Sequence, residues 1–215
     1  MSKEKSENGK EVQSFKIITI GDSSVGKTSI IRRYIYGVYD DKTMSTIGLS
    51  FSFKEVTLKN GIKISLKLVD TAGEEKYRSL TKSYFKNSDA VLFVFDYGNT
   101  DSFNHIVDWI QLFKENTNRD DIPKFLIGNK DDLEEKMVTN DMIEQFINET
   151  KYKFKSTSAL RQDTNIDEIF NEISEDIMEK YLSTGDKQQK LKLLKKYTKP
   201  KEYNSNCICN LNSGN

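Results

Sequence analysis

Short runs of apolar residues predict the strands of a parallel sheet. Residues 15–20 form a β-branched run that ends at Gly21, and residues 90–95 and 124–128 are continuously apolar. Continuous runs of this kind are typical of strands that a parallel sheet buries on both faces. A further short strand is predicted near residues 153–156.

Two longer segments alternate between apolar and polar positions. They are residues 51–58 and 62–69, and the dipeptide Asn60-Gly61 lies between them. Asn-Gly readily adopts the positive φ angles that a tight hairpin turn needs. The pattern therefore predicts an antiparallel hairpin at one edge of the sheet, with one half-exposed face.

Helical periodicity fills the segments between the strands. Apolar residues recur on one face of residues 27–36, 102–114 and 139–150, and a last helix is predicted to begin at Thr164 or Asn165. Strands that alternate with helices of ten or more residues form right-handed crossovers, with helices on both faces of a mostly parallel sheet. The expected fold class is α/β.

Composition divides the 215 residues into three parts. Residues 1–13 are predicted to be a disordered arm, residues 14–182 a single globular domain, and residues 183–215 a flexible Lys-rich tail. The 33 basic and 33 acidic residues cancel, so the chain lacks the positive field of a nucleic-acid-binding protein. We expect no nucleic-acid partner and a monomeric chain.

Hydropathy and the placement of cysteine indicate an intracellular protein. The longest apolar run, residues 90–95, is far shorter than the roughly 20 residues of a membrane-spanning helix. Residues 1–11 contain no apolar stretch, which excludes a secretory signal. The two cysteines, Cys207 and Cys209, lie at the far C-terminus. No disulfide is therefore expected to cross the core, and a reducing compartment is expected.

A glycine-containing motif connects the first predicted strand to the first predicted helix. The pattern G-x-x-x-x-G-K-[ST] in this position surrounds an anion with backbone N–H groups and a helix N-terminus. Its lysine is expected to contact the terminal phosphates of a nucleotide, and its threonine is expected to bind Mg²⁺. The predicted phosphate-binding residues are Gly21, Asp22, Ser23, Ser24, Val25, Gly26, Lys27, Thr28 and Ser29.

A second acidic element follows the hairpin. Asp70 and Gly73 belong to the sequence Asp-Thr-Ala-Gly at the end of a predicted strand, where side chains point into the ligand crevice of an α/β sheet. Asp70 is expected to hold a water of the Mg²⁺ shell, and Gly73 to offer its N–H to a γ-phosphate. Thr46, in a polar loop, is expected to reach the same Mg²⁺. Taken alone, the segment also fits a polar turn in which Asp70 caps a helix.

The sequence Asn-Lys-Asp-Asp after another strand predicts a base-reading site. Asp132 can accept hydrogen bonds from the N1–H and amino groups of guanine, whereas adenine offers neither donor. Asn129 can tie this loop to the phosphate loop, and Lys130 can lie along the plane of the base. Ser158 and Ala159, after a later strand, can offer a backbone N–H to the guanine oxygen. Without the phosphate loop, the same residues would fit a surface turn.

These four elements, in this order, resemble the Ras superfamily of small GTPases. Residues 45–51, 76–81 and 84–88 are similar to the switch I and switch II signatures of its Rab branch. The resemblance covers residues 14–182. It implies a P-loop NTPase G domain with a six-stranded, mostly parallel sheet, one antiparallel edge strand and five flanking helices.

The resemblance assigns roles to matching residues. Thr46 should bind Mg²⁺ and touch the γ-phosphate in the GTP state only, and Tyr39 should pack against the guanine edge. The residues implied in hydrolysis are Lys27, Gly73 and Glu74. The residues implied in guanine binding are Tyr39, Asn129, Lys130, Asp132, Ser158, Ala159 and Leu160. The residues implied in the effector surface are Ile47, Phe51, Val69 and Tyr84.

Four positions depart from the family pattern. Glu74 stands where the family usually has the glutamine that orients the attacking water, and its carboxylate can either repel the γ-phosphate or polarise water as a base. Val69 replaces a tryptophan of the effector surface. Ser24 fills a slot that is commonly glycine, and Leu160 one that is commonly lysine.

The resemblance implies a switch that binds GTP and GDP with Mg²⁺ and hydrolyses GTP to regulate intracellular vesicle trafficking. Its implied partners are an exchange factor, a GTPase-activating protein and effectors. One alternative is a GTP-binding interaction scaffold whose hydrolysis is negligible because of Glu74. Another, an ATP-using P-loop protein, is disfavoured by the base-reading residues 129–132.

The tail bears on membrane association. Rab proteins usually end in two prenylated cysteines, whereas here residues 210–215 follow Cys207 and Cys209 and no C-a-a-X box is present. The tail lysines favour an anionic leaflet, and a lipid would make the anchoring stable. Prenylation and an unmodified basic tail both remain open. The implied location is the cytoplasm, with cycling to the cytosolic face of an intracellular membrane.

Overall fold

A computed structural model describes residues 3–5, 11–40, 46, 48–73, 78–163 and 165–184. The strands are β1 (Lys3–Lys5), β2 (Glu11–Ile20), β3 (Leu49–Thr57), β4 (Lys63–Thr71), β5 (Ala90–Asp96), β6 (Lys124–Asn129) and β7 (Lys153–Ser156). The helices are α1 (Lys27–Tyr36), α2 (Arg78–Phe85), α3 (Thr100–Asn104), α4 (Ile106–Asn116), α5 (Asn140–Thr150) and α6 (Ile166–Thr184).

The main sheet has the strand order β3-β4-β2-β5-β6-β7. Five of these strands are parallel, and β3 runs antiparallel to β4 at the edge. The expected six-stranded sheet with one antiparallel edge strand is therefore confirmed. Because the carboxyl ends of β2, β4, β6 and β7 meet at one edge, the loops that follow them come together there.

The hairpin forms at the predicted dipeptide. Gly61 has a φ of 80° and donates its N–H to the carbonyl oxygen of Leu58 at 2.8 Å, while Asn60 Oδ1 accepts the N–H of Ile62 at 3.0 Å. Only β3 is half-exposed, as the alternation predicted, whereas most of β4 is buried. The difference arises because β4 lies inside the sheet, between β3 and β2.

A seventh strand extends the sheet at its N-terminal end. β1 pairs antiparallel with the first residues of β2, and Lys3 lies opposite Gln13. Gln13 pairs with Ile64 of β4 on its other side, so β1 occupies the side of β2 that β5 leaves open. Residues 3–5 and 11–13 are thus strand, where the sequence predicted a disordered arm.

Two apolar layers cover the two faces of the sheet. Ile17 of β2 faces the layer formed with α1 and α6, and its neighbour Ile18 faces the layer formed with α2, α4 and α5. The alternation of β2 side chains between the layers fixes the strand in register. Within the described residues, no helix is both long and apolar enough to span a membrane.

The helices agree with the periodic segments, with two differences. α3 and α4 join through His105, whose backbone stays in the right-handed helical region (φ −69°, ψ −9°), so together they cover the predicted helix over 102–114 and extend it slightly at both ends. Thr139 caps α5 through its hydroxyl, which accepts the Met142 N–H at 3.4 Å. α2 was not predicted from periodicity. Counting α3 and α4 as one, five helices flank the sheet in the described part of the chain.

Candidate functional site

The phosphate loop runs from the end of β2 to the start of α1. Gly26 has a φ of 95°, and a Cβ atom there would lie 2.1 Å from Nδ2 of Asn129. Only glycine therefore fits this position without displacing a neighbouring loop. Ser24, in the slot that is commonly glycine, adopts a φ of 61°. The loop ends at the N-terminus of α1, where unpaired N–H groups and the helix dipole favour an anion.

Lys27 is buried beneath this loop. Its side chain is 5% exposed, and Nζ donates to the carbonyl oxygens of Gly21 at 2.8 Å and Asp22 at 2.5 Å. Burial lowers the pKa of Lys27 to about 8, while the nearby charges of Asp70 and Asp22 oppose this shift. A buried ammonium is costly until an anion compensates it. The position of Lys27 thus favours binding of a phosphate.

Three oxygen-bearing side chains meet at the other side of the loop. Asp70 Oδ2 accepts the Thr28 hydroxyl at 2.7 Å and the Thr46 hydroxyl at 3.4 Å, and the two hydroxyl oxygens are 2.7 Å apart. Burial raises the pKa of Asp70. Its second oxygen, Oδ1, is buried and has no hydrogen-bond partner among the described residues. An orphaned carboxylate oxygen beside two hydroxyls fits Mg²⁺, which takes few protein ligands and keeps waters and phosphate oxygens.

Gly73 follows β4 and lies against the phosphate loop. A Cβ atom at this position would lie 2.2 Å from the carbonyl carbon of Asp22 and 2.3 Å from the backbone nitrogen of Ser23. The N–H of the preceding residue, Ala72, donates to the carbonyl of Gly48 at 3.0 Å. The segment after β4 is therefore in backbone contact with the phosphate loop.

The side chain of Asp22 makes contacts that the phosphate motif did not predict. Its carboxylate accepts the indole N–H of Trp109 at 2.7 Å and lies 2.6 Å from Nδ1 of His105. The hydrogen bond to Asp22 raises the pKa of His105. The side chain thus fastens the loop to α4. Val25 is also turned inward, 1% exposed, so its backbone alone is available to the cleft.

Asn129 joins the two halves of the site. It is 2% exposed, its Nδ2 donates to the Val25 carbonyl at 2.8 Å, and its Oδ1 accepts the Ala159 N–H at 3.2 Å. The predicted tie between the base-reading loop and the phosphate loop is present. The same side chain also holds the loop after β7.

A short chain of hydrogen bonds orients Asp132. The Ser158 hydroxyl donates to Asp132 Oδ1, and the N–H of Arg161 donates to the Ser158 oxygen at 3.2 Å. Lys130 adopts a φ of 64°, and its ammonium pairs with Asp96. The pairing holds the Lys130 stem at the wall of the cleft.

Arg33 of α1 supports the loop after β7, and sequence reasoning missed it. Its guanidinium donates to the carbonyls of Ala159 and Leu160, both at 3.0 Å, and to that of Gly37 at 2.7 Å. The two charge-assisted bonds to Ala159 and Leu160 hold the loop in position, and the third bond, to Gly37, holds the end of α1. The only signal in the sequence was a basic residue in the last turn of a predicted helix, which is common.

Most of these groups line one cleft of about 410 Å³. Asp40 and Thr71 line it without having been predicted. The predicted residues that line it are Ser23, Ser24, Gly26, Lys27, Thr28, Ser29, Tyr39, Thr46, Gly73, Asn129, Lys130, Asp132, Ala159 and Leu160. Gly21, Asp22, Val25, Asp70 and Ser158 lie behind this lining and act through the contacts described above.

The predicted effector residues are only partly at the surface. The rings of Phe51 and Tyr84 are in contact, with centroids 5.5 Å apart, and Phe51 is 41% exposed. Val69 is 0% exposed, so its assignment to the effector surface is wrong. It packs with Ile18 and Phe85 in the layer beneath α2.

Several predicted residues lie outside the described part of the chain. They are Glu74, Ile47, Cys207 and Cys209.

The chain is similar to known proteins over most of its length. The Ras family model matches residues 16–179. Rab-10 from Diplobatis ommata is 38% identical over 167 residues, which cover 77% of this chain and 82% of the relative. SEC4 from Saccharomyces cerevisiae is 36% identical over 174 residues, which cover 80% of each chain. Rab-8B from Pongo abelii is 35% identical over 167 residues, which cover 77% of this chain and 79% of the relative. The chain belongs to the Ras family and is a Rab-like small GTPase, a switch that hydrolyses GTP in the regulation of vesicle trafficking.

Proposed function

We propose that the cleft binds GTP and GDP with the phosphates over Lys27 and the guanine base against Asp132. The observation that carries this assignment is the bridge made by Asn129. Its side chain connects the phosphate loop, through Val25, to the loop after β7, through Ala159. An anion site and a purine site held by one side chain fit a nucleotide that spans both.

The phosphate end works through the groups of the loop itself. Backbone N–H groups at the start of α1 bind phosphate oxygens, and the buried ammonium of Lys27 balances charge that develops in the transition state. Gly73 offers its N–H from the opposite side. Each of these electrostatic interactions is stronger here than in water, because little water enters the site to screen it.

Asp70, Thr28 and Thr46 are the proposed residues for Mg²⁺. When bound, the ion neutralises phosphate charge and helps to orient the leaving group. Thr28 lies in α1 and Asp70 in β4, whereas Thr46 lies in the loop before β3. A loop residue is free to leave when the γ-phosphate is lost, so Thr46 is the proposed switch contact.

Glu74 is the proposed water-positioning residue, and its charge decides the rate of hydrolysis. The ionised carboxylate is repelled by the γ-phosphate, and the same ionised form is the one that can accept a proton from the attacking water. The relatives do not favour the alternative of a scaffold that fails to hydrolyse GTP.

Single-turnover release of phosphate from GTP-loaded protein tests this step. The native chain and Glu74→Gln are compared with and without a GTPase-activating protein. We expect release above the spontaneous background from the native chain, and a changed rate in Glu74→Gln. No release from the native chain under either condition would overturn the hydrolytic assignment.

The proposed partners follow from the switch. An exchange factor and a GTPase-activating protein set the nucleotide state, and effectors bind a surface that includes Phe51, Tyr84 and Ile47.

The nucleotide released on denaturing freshly purified protein identifies the ligand. Chromatography should show GDP or GTP, and adenine nucleotides alone would contradict the proposal.

The C-terminal tail is the proposed membrane contact. Its lysines favour an anionic leaflet, and a prenyl group on Cys207 or Cys209 would convert transient contact into stable anchoring. The intact mass of protein from a eukaryotic host shows whether the tail is unmodified or prenylated. We expect cytoplasmic protein that cycles to the cytosolic face of an intracellular membrane, with salt-resistant binding only if the mass includes a lipid.

A further inference from the structure

An unusual row of side chains crosses three strands on the α2 side of the sheet. In the strand register, Phe53 of β3 lies opposite Lys67 of β4, and Lys67 lies opposite Lys16 of β2. Burial lowers the pKa of Lys16, and the positive charge of Lys67 on the neighbouring strand lowers it further, because the two lysines repel each other. Local conflicts of this kind are found where a protein keeps a residue for function.

Lys67 has no carboxylate partner in the described part of the chain. Its ammonium lies 4.8 Å from the ring centre of Phe51 and 5.7 Å from that of Phe53. Contacts with aromatic rings stabilise a cation only weakly when water is near. Lys67 is therefore held between two phenylalanines, with no carboxylate among the described residues to compensate its charge.

Two acidic residues of the described part of the chain, Asp89 and Glu55, come near this row, and neither is paired with Lys67. Asp89 accepts the backbone N–H of Lys16 at 2.9 Å and the Arg119 guanidinium at 2.7 Å. Glu55, two residues after Phe53 on the same face of β3, lies opposite Ser65. Neither carboxylate is paired with Lys67.

Exposed aromatic surface surrounds this charge. Phe53 is 50% and Phe51 is 41% exposed, and Phe51 continues into Tyr84. The Lys16 ammonium donates to the carbonyl of Lys86, the residue directly after α2, at 2.7 Å. Within the described residues, Lys67 is thus a cation flanked by apolar rings that has no carboxylate partner. We call this set, Lys16, Phe51, Phe53, Lys67 and Tyr84, the aromatic–lysine patch.

We propose that the aromatic–lysine patch docks a protein segment that carries a carboxylate between apolar side chains, with Lys67 binding the carboxylate. The inference rests on the proposed function, since the patch extends the surface assigned to effectors and adds the charge that the partner must carry. Burial of apolar surface supplies affinity, and the single charge pair selects the partner.

A protein segment fits the patch better than an anionic membrane does. A bilayer presents diffuse negative charge and attracts clusters of several outward-facing lysines. The patch instead offers one ammonium, that of Lys67, between the rings, because among the described residues Lys16 is bonded to a backbone carbonyl and Lys67 has no carboxylate partner. A fixed position for one carboxylate matches a folded or extended peptide.

Peptide selection on native protein loaded with a non-hydrolysable GTP analogue and Mg²⁺ tests this inference. A displayed library of random peptides is selected, and the enriched peptides are measured by fluorescence anisotropy. We expect enrichment of Asp or Glu next to apolar residues, and Lys67→Glu should weaken binding by about tenfold or more. Replacing the peptide acid by lysine should then restore binding to Lys67→Glu.

Lys151→Glu is the matched control, because Lys151 is exposed and precedes β7 at the opposite edge of the sheet. It should bind the peptides as the native chain does. Lys67→Gln makes the same test without a new charge if Lys67→Glu does not fold. Equal weakening by Lys67→Glu and Lys151→Glu would overturn the inference. So would selected peptides without acids, or Lys67-dependent binding to phosphatidylserine vesicles in place of peptide.

Binding of a fluorescent GDP to each variant separates this inference from the proposed function. Native protein that binds no guanine nucleotide would refute the proposed function. Normal nucleotide binding without acidic preference in the peptides would refute the docking inference alone.

Discussion

The side-chain amide of Asn129 donates a 2.8 Å hydrogen bond to the carbonyl oxygen of Val25. This bond joins the loop after β6 to the phosphate loop, although the two residues are 104 positions apart in the chain. The other end of the same side chain accepts the Ala159 N–H. One buried amide thus makes the phosphate and base regions a single unit.

Replacement of Asn129 by alanine should loosen both regions at once. The change leaves the Val25 carbonyl and the Ala159 N–H without this partner in a buried place, which costs about 1–3 kcal/mol for each group. We expect a lower free energy of unfolding and faster release of a fluorescent GDP. Asn148→Ala, on the exposed side of α5, is the control. Similar GDP release from both variants would contradict the bridging role.

Substitutions of two glycines separate steric fit from backbone strain. Both Gly26 and Gly37 have positive φ, but a Cβ atom at Gly26 would strike Asn129, whereas nothing lies within 4 Å of one at Gly37. Gly37→Ala should therefore cost only about 1 kcal/mol of stability and leave GDP affinity almost unchanged. Gly26→Ala should lose nucleotide binding. Calorimetric titration with GDP measures both, and equal affinities in the two variants would disprove the clash.

Much of this site follows from the sequence, because its residues occupy fixed positions after strands. The hairpin at Asn60-Gly61 and the tie made by Asn129 were expected from turn chemistry and from strand order, and both are present. Periodicity missed α2, which has only eight residues. The burial of Val69 was missed because the resemblance assigned its position to the surface, whereas the layer beneath α2 covers it.

The contacts of Arg33 lay beyond sequence reasoning for another reason. Its partners are backbone carbonyls of Ala159 and Leu160, 126 and 127 positions away. Backbone acceptors carry no residue signature, so no spacing or composition rule identifies such a pair.

Arg33→Ala should destabilise the loop that carries Ala159. Loss of the two charge-assisted bonds to Ala159 and Leu160 frees the loop, so GDP should dissociate about tenfold faster while the phosphate loop stays intact. Arg32→Ala is the neighbouring control, since Arg32 makes a more exposed ion pair with Asp40 at 3.3 Å. The rate at which each variant releases a fluorescent GDP is measured by stopped flow. Equal rates for the two variants would remove Arg33 from the site.

Protonation of Lys27 should accompany nucleotide binding. Without phosphate, burial lowers its pKa to about 8, whereas the unfolded chain keeps the proton up to about pH 10.4. This group therefore makes the nucleotide-free fold more stable as pH rises between these values, because the unfolded state binds more protons there. At pH 8 about half of the Lys27 side chains are then uncharged. A bound phosphate favours the charged form of Lys27, so binding of each GDP should take up about half a proton at this pH.

Calorimetry of GDP binding in two buffers with different ionisation enthalpies measures this uptake. Near pH 7 the uptake from Lys27 should fall to about a tenth of a proton, because the group is already charged. Equal uptake at the two pH values, or none at pH 8, would contradict the assignment of Lys27 as the buried phosphate contact.

The choice of guanine through the Asp132 carboxylate is the central claim, and titration calorimetry with GDP and ADP in Mg²⁺ tests it most directly. Asp131→Ala is the control, because that neighbouring carboxylate pairs with Lys136 and not with the cleft. The account predicts that native protein and Asp131→Ala prefer GDP strongly. It also predicts that Asp132→Ala loses about 100-fold in GDP affinity with little change for ADP. An Asp132→Ala variant that retains the native preference for GDP would contradict the account.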